Sequence, residues 1–131
     1  MPTLSQVLEA RVIKELLDFQ NPLKGGGTKG VVEKVIDVVV NQTGNPYDAL
    51  DFIRVRLSYV TDAIKAELVA GNVSPWVFPR LAALAFEGVF ETCVAYWLLK
   101  GQPTPPTALK QDVQDFVALQ VKVFTAAIGA T

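Results

Sequence analysis

The chain has 131 residues, of which 50% are hydrophobic and 19% are charged, and its mean hydropathy is +0.31. This length suits one domain, and the composition excludes an intrinsically disordered chain. Lys and Arg total 12 against 13 Asp and Glu, which gives a net charge of −1. This charge argues against a protein that binds the phosphates of nucleic acid, because such binding requires concentrated positive charge. The apolar content is high for so small a chain, so we expect some apolar side chains to lie at contacts between subunits.

The sequence shows no targeting or membrane-spanning signal. Residues Met1 to Ser5 lack the charged start and apolar stretch of a secretory signal, and the longest uncharged stretch, Leu68 to Pro79, is interrupted by Gly71 and by prolines. The single cysteine, Cys93, lies in an apolar helical pattern and is interpreted as a small core residue. These features predict a soluble protein without a membrane partner.

The first predicted helix begins near Thr3. Thr3 and Gln6 are three residues apart, as in a capping box, in which each side chain satisfies the backbone amide of the other residue. Apolar residues then recur at helical spacing until Asn21-Pro22, where the proline disfavours helix at the residue before it. A glycine-rich segment, residues 23–30, follows and is predicted to be a flexible loop.

Residues 31–42 fit two kinds of structure. Valines and an isoleucine favour a strand, but their spacing is that of a helix with charged residues on the opposite side. The apolar residues are Val31, Val32, Val35, Ile36 and Val39, and the charged residues are Glu33, Lys34 and Asp37. We predict a short second helix, and the strand stays as the alternative.

The third predicted helix has the clearest boundaries. Asn45 is a capping residue, Pro46 fits the first turn, and Gly71 provides a left-handed residue after the last turn. One apolar stripe runs along it, formed by Leu50, Ile53, Leu57, Val60, Ile64 and Leu68.

The fourth predicted helix is apolar on most of its circumference. It starts at Ser74-Pro75 or at Phe78-Pro79 and runs to Lys100, where Gly101 ends it. Its polar residues form one narrow stripe of Arg80, Glu87 and Glu91. A helix of this kind lies at the centre of a core or at an interface.

A proline-rich connector, residues 102–107, leads to the last predicted helix. This helix is expected to span Ala108 to Ile128 with Thr107 as its cap. Its inner face is predicted to contain Leu109, Val113, Phe116, Val117, Gln120, Phe124 and Ile128. The predicted fold is therefore all-α, a single-domain bundle of about five helices with long central helices, covering residues 1–131.

The chemistry of the side chains leaves few options for a reactive site. The chain has no histidine and one cysteine, which excludes histidine-based triads and thiolate zinc sites. Glu87 and Glu91 are one turn apart and could share a proton or bind a cation, but we favour exposure to solvent or pairing with Arg80. We predict no enzyme activity, no catalytic or metal-ligating residue and no cofactor.

Two other segments, the glycine-rich segment and the aromatic pair before the fourth helix, are candidates for binding sites. The glycines between Lys24 and Gly30 do not form a phosphate loop, because Val31 and Val32 follow Gly30 where Lys and then Ser or Thr are required. Trp76 and Phe78 lie at a helix entry, where a place in the core or in a hydrophobic staple is favoured over contact with a partner protein. The candidate protein contacts are Trp76, Phe78, Arg80, Glu87 and Glu91.

The order of the elements carries a family resemblance. A short first helix ends as Leu16-Leu17-Asp18-Phe19-Gln20-Asn21-Pro22, a small helix follows, and a long apolar helix begins with Pro79-Arg80-Leu81-Ala82-Ala83-Leu84. Over about the first hundred residues the chain resembles the head-to-tail connector or adaptor (neck) proteins of tailed bacteriophages, which form rings beneath the portal. The Tyr-rich end of the long helix in that family is only roughly matched by Tyr96-Trp97-Leu98-Leu99.

The resemblance implies a structural protein of the virion, a homo-oligomer whose partners are further copies of itself and portal and tail components. It implies no catalytic residue and no specific binding to the DNA that passes nearby. The leading hypothesis is a ring or adaptor subunit. The alternatives are a small cytoplasmic helical module that binds one partner through Trp76 and Phe78, and a carboxylate-dependent enzyme or metal binder that uses Glu87 and Glu91.

Overall fold

The computed structural model describes residues 1–20, 46–101 and 108–131, and within these ranges the chain is helical without any strand. Four helices are present there: α1 (Leu4–Gln20), α2 (Pro46–Val69), α3 (Pro79–Lys100) and α4 (Gln111–Ala127). The predicted all-α class is confirmed. The second predicted helix (residues 31–42), the glycine-rich loop, the Asn45 and Thr107 caps and the connector 102–107 lie outside the described residues.

The capping box at the start of α1 is confirmed. The Thr3 backbone amide donates to Oε1 of Gln6 at 2.9 Å, and the Gln6 amide donates to Oγ1 of Thr3 at 3.2 Å. Every fourth residue after the cap is then buried, which gives α1 one apolar stripe. The stripe consists of Leu4, Leu8, Val12 and Leu16.

The end of α2 also follows the prediction. Gly71 has φ +78° and donates its amide to the Leu68 carbonyl at 3.1 Å, while the Asn72 amide donates to the Glu67 carbonyl at 2.8 Å. This pair of bonds is a Schellman motif, which requires the left-handed glycine. Upstream of it, α2 buries Leu57, Val60 and Ile64.

Of the two predicted starts for the fourth helix, Phe78-Pro79 is right and Ser74-Pro75 is wrong. Helix α3 begins at Pro79 and ends at Lys100, and the capping residue Gly101 has φ +75° and donates its amide to the Leu98 carbonyl. Its buried residues all lie on one side: Ala83, Phe86, Phe90, Cys93 and Trp97.

Helix α4 starts later than predicted, at Gln111 instead of Ala108, and ends at Ala127, one residue before the predicted Ile128. Leu109 is buried ahead of the helix, and Lys110 is extended with φ −58° and ψ 146°. The Lys110 ammonium donates to the Lys100 carbonyl at the end of α3 at 2.6 Å. Packing of Leu109 and this bond hold residues 109–110 outside the helical conformation.

One core joins all four helices. Helix α3 packs against α2 and α4, and α1 packs mainly against α4 and to a smaller extent against α2 and α3. Phe86 of α3 and Phe124 of α4 meet edge to face with ring centroids 5.1 Å apart. Helix α3 therefore lies at the centre of the core, and its opposite side is left for other contacts.

Candidate interaction surface

Helix α3 has a second apolar side that the other described helices do not cover. Four leucines on this side are exposed, with exposed fractions of 63% for Leu81, 49% for Leu84, 43% for Leu98 and 85% for Leu99. At 100° per residue Leu81, Leu84 and Leu99 lie opposite the direction of Phe86 and Trp97, and Leu98 lies on the flank between the two sides. An apolar side that is both wide and exposed is unusual for a soluble monomer.

Small residues lie between these leucines. Ala85, Gly88, Thr92 and Ala95 are all exposed, and a Cβ added at Gly88 would meet no atom within 4 Å. Together the two groups form what we call the outer face: Leu81, Leu84, Ala85, Gly88, Thr92, Ala95, Leu98 and Leu99. Small side chains at its middle allow another helix backbone to approach closely.

The predicted polar stripe of α3 is corrected at Glu87. Its carboxylate is bound by Arg56 of α2, with Nε to Oε1 at 2.9 Å and Nη2 to Oε2 at 2.6 Å. Glu87 therefore pairs with Arg56 instead of Arg80, and its side chain is only 14% exposed. Because both of its oxygens already accept hydrogen bonds from Arg56, the structure disfavours a paired-carboxylate site with Glu91.

Arg56 is the centre of a buried network that sequence reasoning missed. Its side chain is only 6% exposed, and its Nη1 donates to Oε1 of Glu15 in α1 at 2.9 Å. Glu15 also pairs with Arg11 at 3.2 Å, and the Arg56 guanidinium lies 3.6 Å from the centre of the Phe90 ring. Charges of alternating sign thus join α1, α2 and α3 and fix which side of α3 faces inward.

A signal for Arg56 was present in the sequence. Arg56, Val60 and Ile64 are spaced by four residues, which places the arginine on the buried side of α2. A buried arginine requires a carboxylate partner. The partner could not be identified, because Glu87 is 31 residues away in the sequence.

The other two residues of the polar stripe on α3, Arg80 and Glu91, point outward. Arg80 and Glu91 are exposed on the same flank of the outer face, and neither forms an ion pair with another residue in the ranges that the structure describes. Neither residue is needed to balance a charge inside this part of the chain.

Trp76 and Phe78 are exposed, with exposed fractions of 64% and 70%, so the favoured place in the core is wrong. Their neighbours Val73 and Val77 are buried and anchor the segment between α2 and α3. Backbone bonds tie this segment to the C-terminus: the Ser74 amide donates to the Ile128 carbonyl and the Thr131 amide donates to the Asn72 carbonyl, both at 3.0 Å. The segment is therefore held in place while its two aromatic side chains point outward.

In the described part of the chain one helix, α3, is long and apolar enough to cross a membrane by length and composition, although the core helix of a soluble protein passes the same test. Only 33% of its most apolar stretch is buried. Among the same residues no group of three or more acidic, histidine or cysteine side chains could hold a metal ion. The unusual feature of the surface is thus the apolar side of α3.

Comparison of the chain with family models, with curated proteins and with solved structures finds no match. The resemblance to phage connectors therefore stays a prediction, and function has to be argued from the surface itself.

Proposed function

We propose that this protein is a structural subunit that assembles with copies of itself through the outer face of α3. The observation that carries the proposal is the exposure of Leu81, Leu84, Leu98 and Leu99 on the helix at the centre of the core. Fully burying one such side chain contributes roughly 1.5–3 kcal/mol, so leaving four of them in water is costly. Assembly recovers that free energy.

The kind of assembly we propose is the oligomeric ring of a head-to-tail connector, with portal and tail proteins as neighbours in a virion. The element order supports it in part: the capped α1 comes first, and α3, the apolar helix introduced by Pro79, follows after α2. A five-helix bundle, with residues 31–42 as the additional helix, belongs to this proposal. A structural role requires no enzyme activity and no cofactor.

The test is the mass in solution of the double variant Leu81→Gln, Leu84→Gln, measured by analytical ultracentrifugation. We expect the wild type to associate and this variant to dissociate, because glutamine keeps helix propensity and charge but removes apolar area. The matched control is Leu119→Gln, Val123→Gln, which changes exposed apolar residues of α4. Unchanged association of the α3 variant, or equal dissociation of the control, would reject α3 as the contact.

A second candidate is a small helical binding module, regulatory or inhibitory. It is favoured by the segment between α2 and α3, which the C-terminus holds in place with Trp76 and Phe78 exposed. Aromatic side chains on a rigid segment are typical anchors of protein interfaces.

This candidate predicts that Trp76→Ala removes a co-purified partner from the native source without changing the melting temperature. The control is Val69→Ala, an exposed apolar residue at the end of α2. If Trp76→Ala instead changes only the self-association of the protein, the binding module is rejected and the aromatic residues belong to the assembly.

A further inference from the structure

Arg80 and Glu91 form a charge pattern on α3 that the described part of the chain does not use for an ion pair of its own. They lie at nearly the same angle around the helix, about 20° apart, and are separated along it by roughly 16 Å. Neither makes an ion pair within the described residues. Arg80 is also in the first turn of α3, where the helix dipole disfavours a cation and no acidic residue is present to compensate.

We infer that the outer face of α3 packs against the same face of a second copy, with the two helices antiparallel and Arg80 of each copy opposite Glu91 of the other. The inference rests on the self-assembly that we propose for the outer face of α3, not on the connector ring, and it specifies the partner and the geometry of the contact. In an antiparallel pair related by a twofold axis, residues on one flank of a helix face the same flank of the other helix. Arg80 and Glu91 share a flank, so the pairing forms twice.

The charge pairing fixes the register of the two helices. The axis passes midway between Arg80 and Glu91, near Ala85, and places Leu84 and Gly88 of both copies at the centre of the contact. A glycine there lets the helices approach closely. The carboxylate of Glu91 from the second copy also reaches the positive end of the α3 dipole, which stabilises the pair further.

In the same register, the exposed aromatic residues Trp76 and Phe78 also contact the second copy. Residues that precede α3 in one copy lie beside the second half of α3 in the other copy, so the segment with Trp76 and Phe78 approaches Ala95 and Leu99. Each aromatic side chain brings about 150–250 Å² of surface. This addition matters because a stable interface usually buries about 1,200–2,000 Å², more than a short pair of helices supplies alone.

A contact of a face with itself closes on a pair of subunits. A ring built from such pairs requires a further contact through another surface, and its two ends are then equivalent. Exposed Val55 on α2 lies outside the α3 contact and is available for that purpose.

Charge reversal tests the geometry. We expect Arg80→Glu and Glu91→Arg each to weaken self-association roughly tenfold, because each reversal replaces two attractions by two repulsions. The double variant Arg80→Glu, Glu91→Arg restores the affinity, since the pairing is reversed in both copies. Both residues are exposed, so the folded subunit tolerates the changes, which circular dichroism verifies.

Disulfide cross-linking tests the register independently. Leu84→Cys lies close to the axis, where the Cα atoms of the two copies come within the roughly 4–7 Å that a disulfide spans. Leu98→Cys, on the same face of the same helix, is the matched control, because its copies are roughly 37 Å apart. The native Cys93 is buried and does not compete. We expect Leu84→Cys to form covalent pairs on mild oxidation and Leu98→Cys to remain unlinked.

The outcomes separate the inference from the proposed function. If Leu81→Gln, Leu84→Gln dissociates the protein but the double charge reversal fails to restore affinity, or Leu98→Cys links as readily as Leu84→Cys, the antiparallel geometry is wrong while assembly through α3 stands. If the glutamine variant associates normally, the proposed function fails as well.

Discussion

The two sides of α3 are about equally apolar, yet they differ completely in their surroundings. The inner side, with Phe86 and Trp97, is covered by three other helices, whereas the outer face, with Leu81 and Leu99, is covered by none of the described elements. One side of this hydrophobic helix serves folding, and we propose that the other side serves assembly. The comparison shows that apolar content does not by itself tell which sides of a helix are buried in its own chain.

The charges on α3 show the same contrast. Glu87 is satisfied inside the chain by Arg56, while Arg80 and Glu91 have no ion-pair partner in the described residues. We attribute to the buried Arg56–Glu87 pair a role in setting which side of α3 turns inward, because the cost of removing two charges from water offsets much of their attraction. Under our proposal the exposed Arg80 and Glu91 pair with a second copy.

The largest expected change in the free energy of unfolding comes from a substitution on the inner side of α3. Trp97→Ala should lower the free energy of unfolding by about 3–5 kcal/mol, because it leaves a cavity in the core. Leu84→Ala on the outer face should change it by less than about 0.5 kcal/mol in the dissociated subunit. Urea unfolding at low protein concentration measures both, and equal losses would remove the distinction between the two sides.

The next effect concerns the buried arginine. Arg56→Met should destabilise the subunit by about 3 kcal/mol, since Glu87 and Glu15 lose their partner and methionine keeps only the packing on Phe90. Arg54→Met is the matched control, because Arg54 is exposed on the same helix. If both variants unfold at the same urea concentration, the network does not hold α3 in place.

The titration of Cys93 measures how well the inner side of α3 is shielded from water. Burial raises the pKa of its thiol from 9.0 to about 11. Below pH 9 the thiol is neutral in both the folded and the unfolded chain. Between pH 9 and 11 the unfolded chain loses the thiol proton and the folded chain keeps it. The free energy of unfolding therefore falls by up to about 1.4 kcal/mol per pH unit. Urea unfolding of wild type and Cys93→Ala across this range should differ in slope, and parallel curves would show that the thiol is accessible.

The smallest expected change in stability concerns Gly88, at the middle of the outer face. Gly88→Ala should raise the stability of the dissociated subunit by about 0.5–1 kcal/mol, because alanine is the better helix former and its Cβ meets nothing within 4 Å. Thermal unfolding of the dilute protein measures the gain. A loss of stability would mean that another part of the chain already covers Gly88.

Local signals in the sequence predicted much of the fold. Thr3 with Gln6, Pro79, Gly71 and Gly101 mark helix ends through bonds within a few residues, and all four act as expected. The start of α4 was missed, because Leu109 packs into a core made by distant residues.

The candidate surface was predicted less well, for a physical reason. Helical spacing shows that α3 is apolar on several sides, but it does not show which sides meet neighbouring helices. Glu87 turned inward because of Arg56, a partner on another helix, and Trp76 turned outward because Val73 and Val77 fill the space beneath the segment. Both outcomes depend on long-range contacts.

The most direct measurement of the central claim is the mass of the unmodified protein in solution, by sedimentation equilibrium from micromolar to millimolar concentration. Our account predicts reversible association, with the 14.2 kDa subunit giving way to pairs or larger multiples as concentration rises. A species of 14.2 kDa at every concentration would contradict it, because the outer face of α3 would then be stable in water without a second copy.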